Sequence, residues 1–276
     1  MTTPCTVGDI AIGQSTPLTI IAGPCVLESL EMGLDIGRAM HDACRDAGLA
    51  YVFKASFDKA NRSSISSYRG PGIDQGLSWL AEIREALGVP VTTDIHEPAH
   101  AEPVAAALDL LQIPAFLSRQ TDLLLAAGRA AARHGRAVNV KKGQFMAPAE
   151  MTGPIKKLSE AGCGNVMLTE RGTFFGYHRL VNDFTGLGDL LELGVPVCFD
   201  VTHSTQLPGS GSQTGGRPER APLLGRAAAA AGVQALFIET HTDPANAKSD
   251  GATVLPIDVA SEIIRDAAAI RSALVQ

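Results

Sequence analysis

A chain of 276 residues, 45% of them hydrophobic, is long enough to bury one large core as a single domain, and an α/β barrel has about this length. Its net charge of -6 excludes a general nucleic-acid or membrane-surface binder, because such partners require a clustered positive face, so any bound anion must be met by local cations. Five cysteines without a Cys-x-x-Cys pair exclude a disulfide framework and a zinc ribbon; with no basic-then-apolar leader pattern and no apolar run of about 18 residues, they predict a cytoplasmic protein outside the membrane.

The opening CTVGDIAIG alternates like a small hairpin and predicts a segment over residues 1–18 that plugs the bottom of whatever follows. The first β-rich run, TIIAGPC, is apolar until Gly23-Pro24 breaks it and presents Cys25 at its end. LEMGLDIGRAMHDACRDAG follows with helical spacing and a terminal glycine, the usual stop signal. AYVFKAS then ends on Lys54 and Ser56, PVTTDIH on Asp94 and His96, and LLQIPAF carries Gln112. AVNVKKG ends on Lys141 and Lys142, VMLTERG on Glu170 and Arg171, and PVCFDVTH on Asp200 and His203. The helical RAPLLGRAAAAAG leads to the eighth run, ALFIETHT, which carries Glu239 and His241. Eight strands recurring with crossover helices predict parallel pairing closed into a (β/α)8 TIM barrel, one domain over residues 1–276.

Nearly every strand turns polar at its C-terminal end, the face on which barrels of this type build their sites. Lys54, Lys59, Arg62, Lys141, Lys142 and Arg171 form a cationic set in an acidic chain, which predicts a pocket for phosphate or carboxylate groups. Cys25, His203, Glu239 and Asp250 form a second set of soft, borderline and hard donors such as a divalent transition metal accepts. They come from the first, seventh and eighth strand ends and the loop after the eighth, which meet once the barrel closes. Read singly, a cysteine such as Cys25 is more often a buried thiol and a histidine such as His203 more often a hydrogen-bonded loop residue.

The runs VFKASFDKANRSS, YRGPG, LQIPAFLSRQTDLL, NVKKGQF, ERGTFFGY, FDVTHSTQ, GGRPE and IETHTDPANAKSDG resemble the 3-deoxy-D-manno-octulosonate 8-phosphate synthase family from about Ile20 to Pro256. That resemblance implies a barrel, usually a homotetramer, that condenses phosphoenolpyruvate with D-arabinose 5-phosphate and water for lipopolysaccharide synthesis, releasing phosphate. The family has a metal-dependent branch with Cys where the metal-independent branch has Asn, so Cys25 implies the former. Carried over by residue, it makes Cys25, His203, Glu239 and Asp250 the ligands of a divalent metal ion. It puts Lys54, Lys59, Lys141 and Arg171, with Gln112 and Arg119 nearby, around phosphoenolpyruvate. Lys59, Asn61, Arg62, Ser63 and Asp94 face the pentose phosphate, Arg62 and Ser63 reaching it from a neighbouring subunit. Lys59, His203 and Asp94 are the catalytic candidates, with His203 also readable as a base or phosphate contact. The chain departs from some members at Gly143, where they have proline, and in the length of HSTQLPGSGSQTGGRPE around Arg217. Three rivals differ in substrate, chemistry or class: a 3-deoxy-D-arabino-heptulosonate 7-phosphate synthase acting on a four-carbon aldose, a Schiff-base aldolase using Lys54 or Lys141, and a non-catalytic phosphosugar-binding barrel.

Overall fold

The structure is a computed structural model and describes residues 2–60, 67–174, 177–209 and 214–274. Eight parallel strands pair in chain order: β1 (Thr19–Gly23), β2 (Ala50–Lys54), β3 (Val91–Asp94), β4 (Leu110–Ile113), β5 (Ala137–Lys141), β6 (Val166–Glu170), β7 (Val197–Asp200) and β8 (Ala235–His241). β8 pairs with β1 from Ala235↔Thr19 to Glu239↔Gly23 and with β7 from Ala235↔Cys198 to Phe237↔Asp200, so the sheet closes without an open edge. After each strand comes a helix: α1 (Leu30–Asp46), α2 (Ile73–Leu87), α3 (Ala101–Ala107), α4 (Thr121–His134), α5 (Thr152–Glu160), α6 (Phe184–Leu191), α7 (Ala221–Ala231) and α8 (Ile257–Leu274). The expected (β/α)8 barrel is the observed one.

The strands are buried almost throughout, because helices cover one face and the barrel interior encloses the other. One core lies between sheet and helices, with Ile20, Phe53, Val91, Leu111, Val140, Leu168, Phe199 and Ile238 among its members. The second lies inside the barrel and joins Ile21, Val52, Leu110, Met167, Cys198 and Phe237 to the N-terminal hairpin residues Cys5, Val7 and Ile12. That hairpin, Cys5–Val7 paired with Ile10–Ile12, is therefore the plug at the N-terminal end. The Asn165 side chain locks it, accepting from Thr6 N and donating to Thr6 O, both at 2.7 Å.

Two local features shape the opposite end. Ser29 caps α1 by accepting from Met32 N, fixing the turn that follows Cys25. A Cβ built on Gly23 would lie 2.0 Å from the Lys54 carbonyl oxygen, so only glycine lets β1 end this close to β2.

Candidate active site

Side-chain alternation along each strand decides which residues enter the barrel. On β8, Leu236 and Ile238 face the helices, while Ala235 and Phe237 lie in the interior core and Glu239 continues that face. Above the apolar floor a hydrogen-bonded polar layer runs across the interior from β3 to β6. Gln112 Nε2 donates to Asp94 Oδ1 at 2.7 Å, Asn139 Nδ2 to Gln112 Oε1 at 3.0 Å, and Thr169 Oγ1 to Asn139 Oδ1 at 2.8 Å. Asp94 also accepts from Ser56 Oγ at 2.5 Å. Burial opposes ionisation of Asp94, but Lys54 and Lys141 outweigh it and hold the carboxyl well below its usual range.

At the junction of β1 and β8, Cys25 Sγ donates to Asp250 Oδ2 at 2.9 Å, and one donor atom each from Cys25, Glu239 and Asp250 lies within 4.8 Å of the others. His203 Nε2 stands 3.6 Å from Glu239 Oε2 and 3.9 Å from Asp250 Oδ2. Lys59 Nζ donates to Cys25 Sγ at 2.9 Å and to Asp250 Oδ2 at 3.1 Å. Burial, then Asp250 and Glu239, push the Cys25 thiol well above its ordinary value. Asp250 has φ 51°, a left-handed conformation uncommon outside glycine, in the residue that turns the loop after β8 back onto Cys25. Glu28 clasps that loop: its Oε1 accepts from Lys248 N at 2.9 Å and lies 3.4 Å from His241 Nε2.

The donor set fits a divalent ion. A soft sulfur and hard carboxylates converge, and Glu239 Oε2 is buried without a hydrogen-bond donor among the described residues, which is unfavourable unless something positive completes it.

Beside this cluster opens a cavity of about 200 Å³ whose lining includes Lys59, Asp94, Lys141, Arg171, His203, Glu239 and Asp250. Lys141 Nζ is paired with Asp200 Oδ2 at 2.7 Å, and His203 Nδ1 lies 2.9 Å from the same oxygen. Burial opposes a charge on Asp200, but His203 and Lys141 keep its carboxyl far below the usual range. Arg171 donates through Nη2 to Gln206 Oε1 at 2.7 Å, while its buried Nη1 has no hydrogen-bond partner among the described residues. A buried, half-satisfied guanidinium on a cavity wall is a ready grip for an anion.

Several expected residues lie elsewhere. Lys54 is beneath the cavity, its ammonium taken by Glu239 Oε1 at 2.5 Å and by the carbonyls of Cys25 and Pro24 at 2.9 and 3.3 Å. Gln112 is buried in the polar layer. Arg119 is exposed, 4.0 Å from Glu150, and is not part of the cavity wall. Lys142 and Glu170, one residue out of phase with Lys141 and Arg171, turn away from the cavity and pair with each other at 3.4 Å. Asn61, Arg62 and Ser63 lie outside the described residues. Phe237 and Gln206 were not singled out from the sequence; Phe237 was findable, since it sits two positions before Glu239 on the same face.

A closed parallel barrel with lysines, an arginine and carboxylates converging at its C-terminal face defines an enzyme for small anionic substrates. A family model described as the DAHP synthetase I family matches residues 2–271, and the chain belongs to this family. Among its curated relatives, the 2-dehydro-3-deoxyphosphooctonate aldolase of Syntrophotalea carbinolica is 48% identical over 265 residues, 96% of this chain and 94% of that protein. The proteins of that name from Nitratidesulfovibrio vulgaris strain DP4 and Granulibacter bethesdensis are 51% and 49% identical, covering 92% and 94% of this chain and 92% and 91% of theirs.

Proposed function

We propose that this protein condenses phosphoenolpyruvate with D-arabinose 5-phosphate and water to 3-deoxy-D-manno-octulosonate 8-phosphate and phosphate, the sugar acid going to lipopolysaccharide. The observation that carries it is the convergence of Lys59, Lys141 and Arg171 on one cavity in a chain half identical, over nearly all its length, to relatives bearing the aldolase name.

The chemistry demands that an enolic carbon, a weak nucleophile, meet an aldehyde while water adds to the neighbouring carbon, so positioning is the main task. Lys141 and Arg171 grip phosphoenolpyruvate, with the free Arg171 Nη1 as the vacant donor. Asp94, kept ionised, accepts from the sugar hydroxyls, and Lys59, on the same cavity, contacts both substrates. Asn61, Arg62 and Ser63 take the distal phosphate of the pentose. Cys25, His203, Glu239 and Asp250 hold a divalent metal ion. Bound there, the ion supplies a Lewis-acidic charge that orients water or the aldehyde oxygen. His203 turns Nε2 toward Glu239 and Asp250 and Nδ1 toward Asp200, which orients the ring for ligation; its alternative role, without an ion on Nε2, is as a base or phosphate contact.

The proposal extends to a homotetramer in the cytoplasm. Exposed Phe116, on the cavity lining, and exposed Phe145 support association, and five free cysteines suit a reducing compartment. Among the described residues no helix is long and apolar enough to cross a membrane.

Phosphate release from phosphoenolpyruvate is measured with arabinose 5-phosphate and erythrose 4-phosphate side by side, before and after chelation. Strong preference for the pentose is expected. Equal or better turnover of the four-carbon sugar would reassign the protein to the chemistry whose name the family description carries.

A further inference from the structure

Phe237 is fully buried and touches no part of the cavity surface, yet its ring meets three groups of the site carried by three other strands or their ends. Lys141 Nζ of β5 stands 3.6 Å from the ring centroid, Lys54 Nζ of β2 stands 5.4 Å from it, and the His203 ring after β7 packs at 5.9 Å with planes tilted 45°. We infer that Phe237 is a positioning residue for the proposed reaction, its ring face holding the Lys141 ammonium at the cavity wall and fixing Lys141 relative to Lys54.

The physical case begins with Lys141. An ammonium has three donors, and the hydrogen bond given to Asp200 uses one. The Lys141 side chain is buried beside Asp200, and an aliphatic side chain in place of the ring would offer the ammonium no attraction away from that carboxylate, so it would settle wholly onto Asp200. The negative face of an aromatic ring supplies a second attraction along its normal, without consuming an N–H that the cavity needs. At 3.6 Å the Lys141 contact is well inside the range of that interaction, and burial strengthens it by excluding water. Lys54 binds Glu239, so the same ring also spans the anion-gripping side of the site and the thiol-carboxylate cluster. β8 permits this because Phe237 and Glu239 share the inward face, one layer apart.

The inference rests on the proposed condensation, and its test separates the two. 4-Fluoro-, 3,5-difluoro- and 3,4,5-trifluorophenylalanine are placed at position 237 of the full chain; each weakens the negative face with little change of shape. kcat/KM for phosphoenolpyruvate is expected to fall log-linearly along the series, by roughly 3- to 30-fold in total, with melting temperatures within a few degrees of wild type. Phe237→Leu, which deletes the face, is expected to lose at least as much. A flat series in an active wild-type background, or a loss that tracks melting temperature instead of fluorination, overturns the ring's role and leaves the condensation standing. A wild-type protein that releases no phosphate from phosphoenolpyruvate with arabinose 5-phosphate overturns the condensation, and the positioning role with it.

Discussion

At Lys54 the ammonium is enclosed by Glu239 Oε1 and two backbone carbonyls, with 1% of the side chain exposed. Burial opposes its charge, but the Glu239 carboxylate prevails and its pKa lies above the ordinary value. Breaking such a pair strands the partner, so Lys54→Met should cost about 3–5 kcal/mol in denaturant unfolding by leaving Glu239 buried and uncompensated. A variant of wild-type stability with only a raised KM for phosphoenolpyruvate would instead assign the ammonium to substrate. At Cys25 burial and two carboxylates raise the thiol pKa, so the thiol of the proposed metal site starts protonated. Ion uptake must displace that proton, so zinc affinity should tighten by roughly tenfold per pH unit below the thiol's pKa while the other ligands stay deprotonated. Cys25→Ala should abolish both the pH slope and most affinity, whereas Cys25→Asn should keep chelator-resistant turnover if the ion mainly positions reactants. Calorimetric titration at several pH values, with turnover after chelation, checks both. An unchanged affinity in Cys25→Ala removes the thiol from the metal site.

Among the elements, the N-terminal hairpin is short, two strands of three residues each, and too small to be stable alone. It persists because Cys5, Val7 and Ile12 fill the barrel mouth and the Asn165 amide mimics a peptide partner for Thr6. Asn165→Ala removes two hydrogen bonds and should lower stability by about 1–3 kcal/mol, while kcat changes little because the site is at the other end of the strands. A large kcat loss at unchanged stability would place the hairpin in the catalytic machinery. α7 ends where its sequence pattern says, on Gly232 at φ 91°, and β8 follows within three residues. Helix and strand boundaries of this kind are local, and local signals announced them.

For the whole molecule, the donor cluster is a junction. Cys25 and Asp250 are 225 residues apart, and they meet only because β8 pairs with β1. An ion held there, as proposed, would cross-link the first and last strands of the barrel and would bind the folded chain in preference to the unfolded one. At a hundredfold excess over its dissociation constant it should stabilise the protein by about 2.7 kcal/mol, raising the melting temperature by roughly 5–10 °C, an increase lost in Asp250→Ala. Differential scanning calorimetry with and without zinc measures this; equal shifts in wild type and variant would place the ion elsewhere.

What the sequence by itself determined is the periodic part of the molecule: eight apolar β-rich runs, the helices between them, the glycine stops and the polar strand ends. Alternation could also have separated Lys141 from Lys142 and Arg171 from Glu170, since neighbours on a strand face opposite ways. Only the tertiary structure decided which inward residues are saturated and which are free. Lys54 is consumed by Glu239 while Arg171 keeps a vacant nitrogen, and the Phe237 ring lies beneath Lys141. Periodicity along one strand carries no record of partners on another, and barrel closure brings those partners within bonding distance.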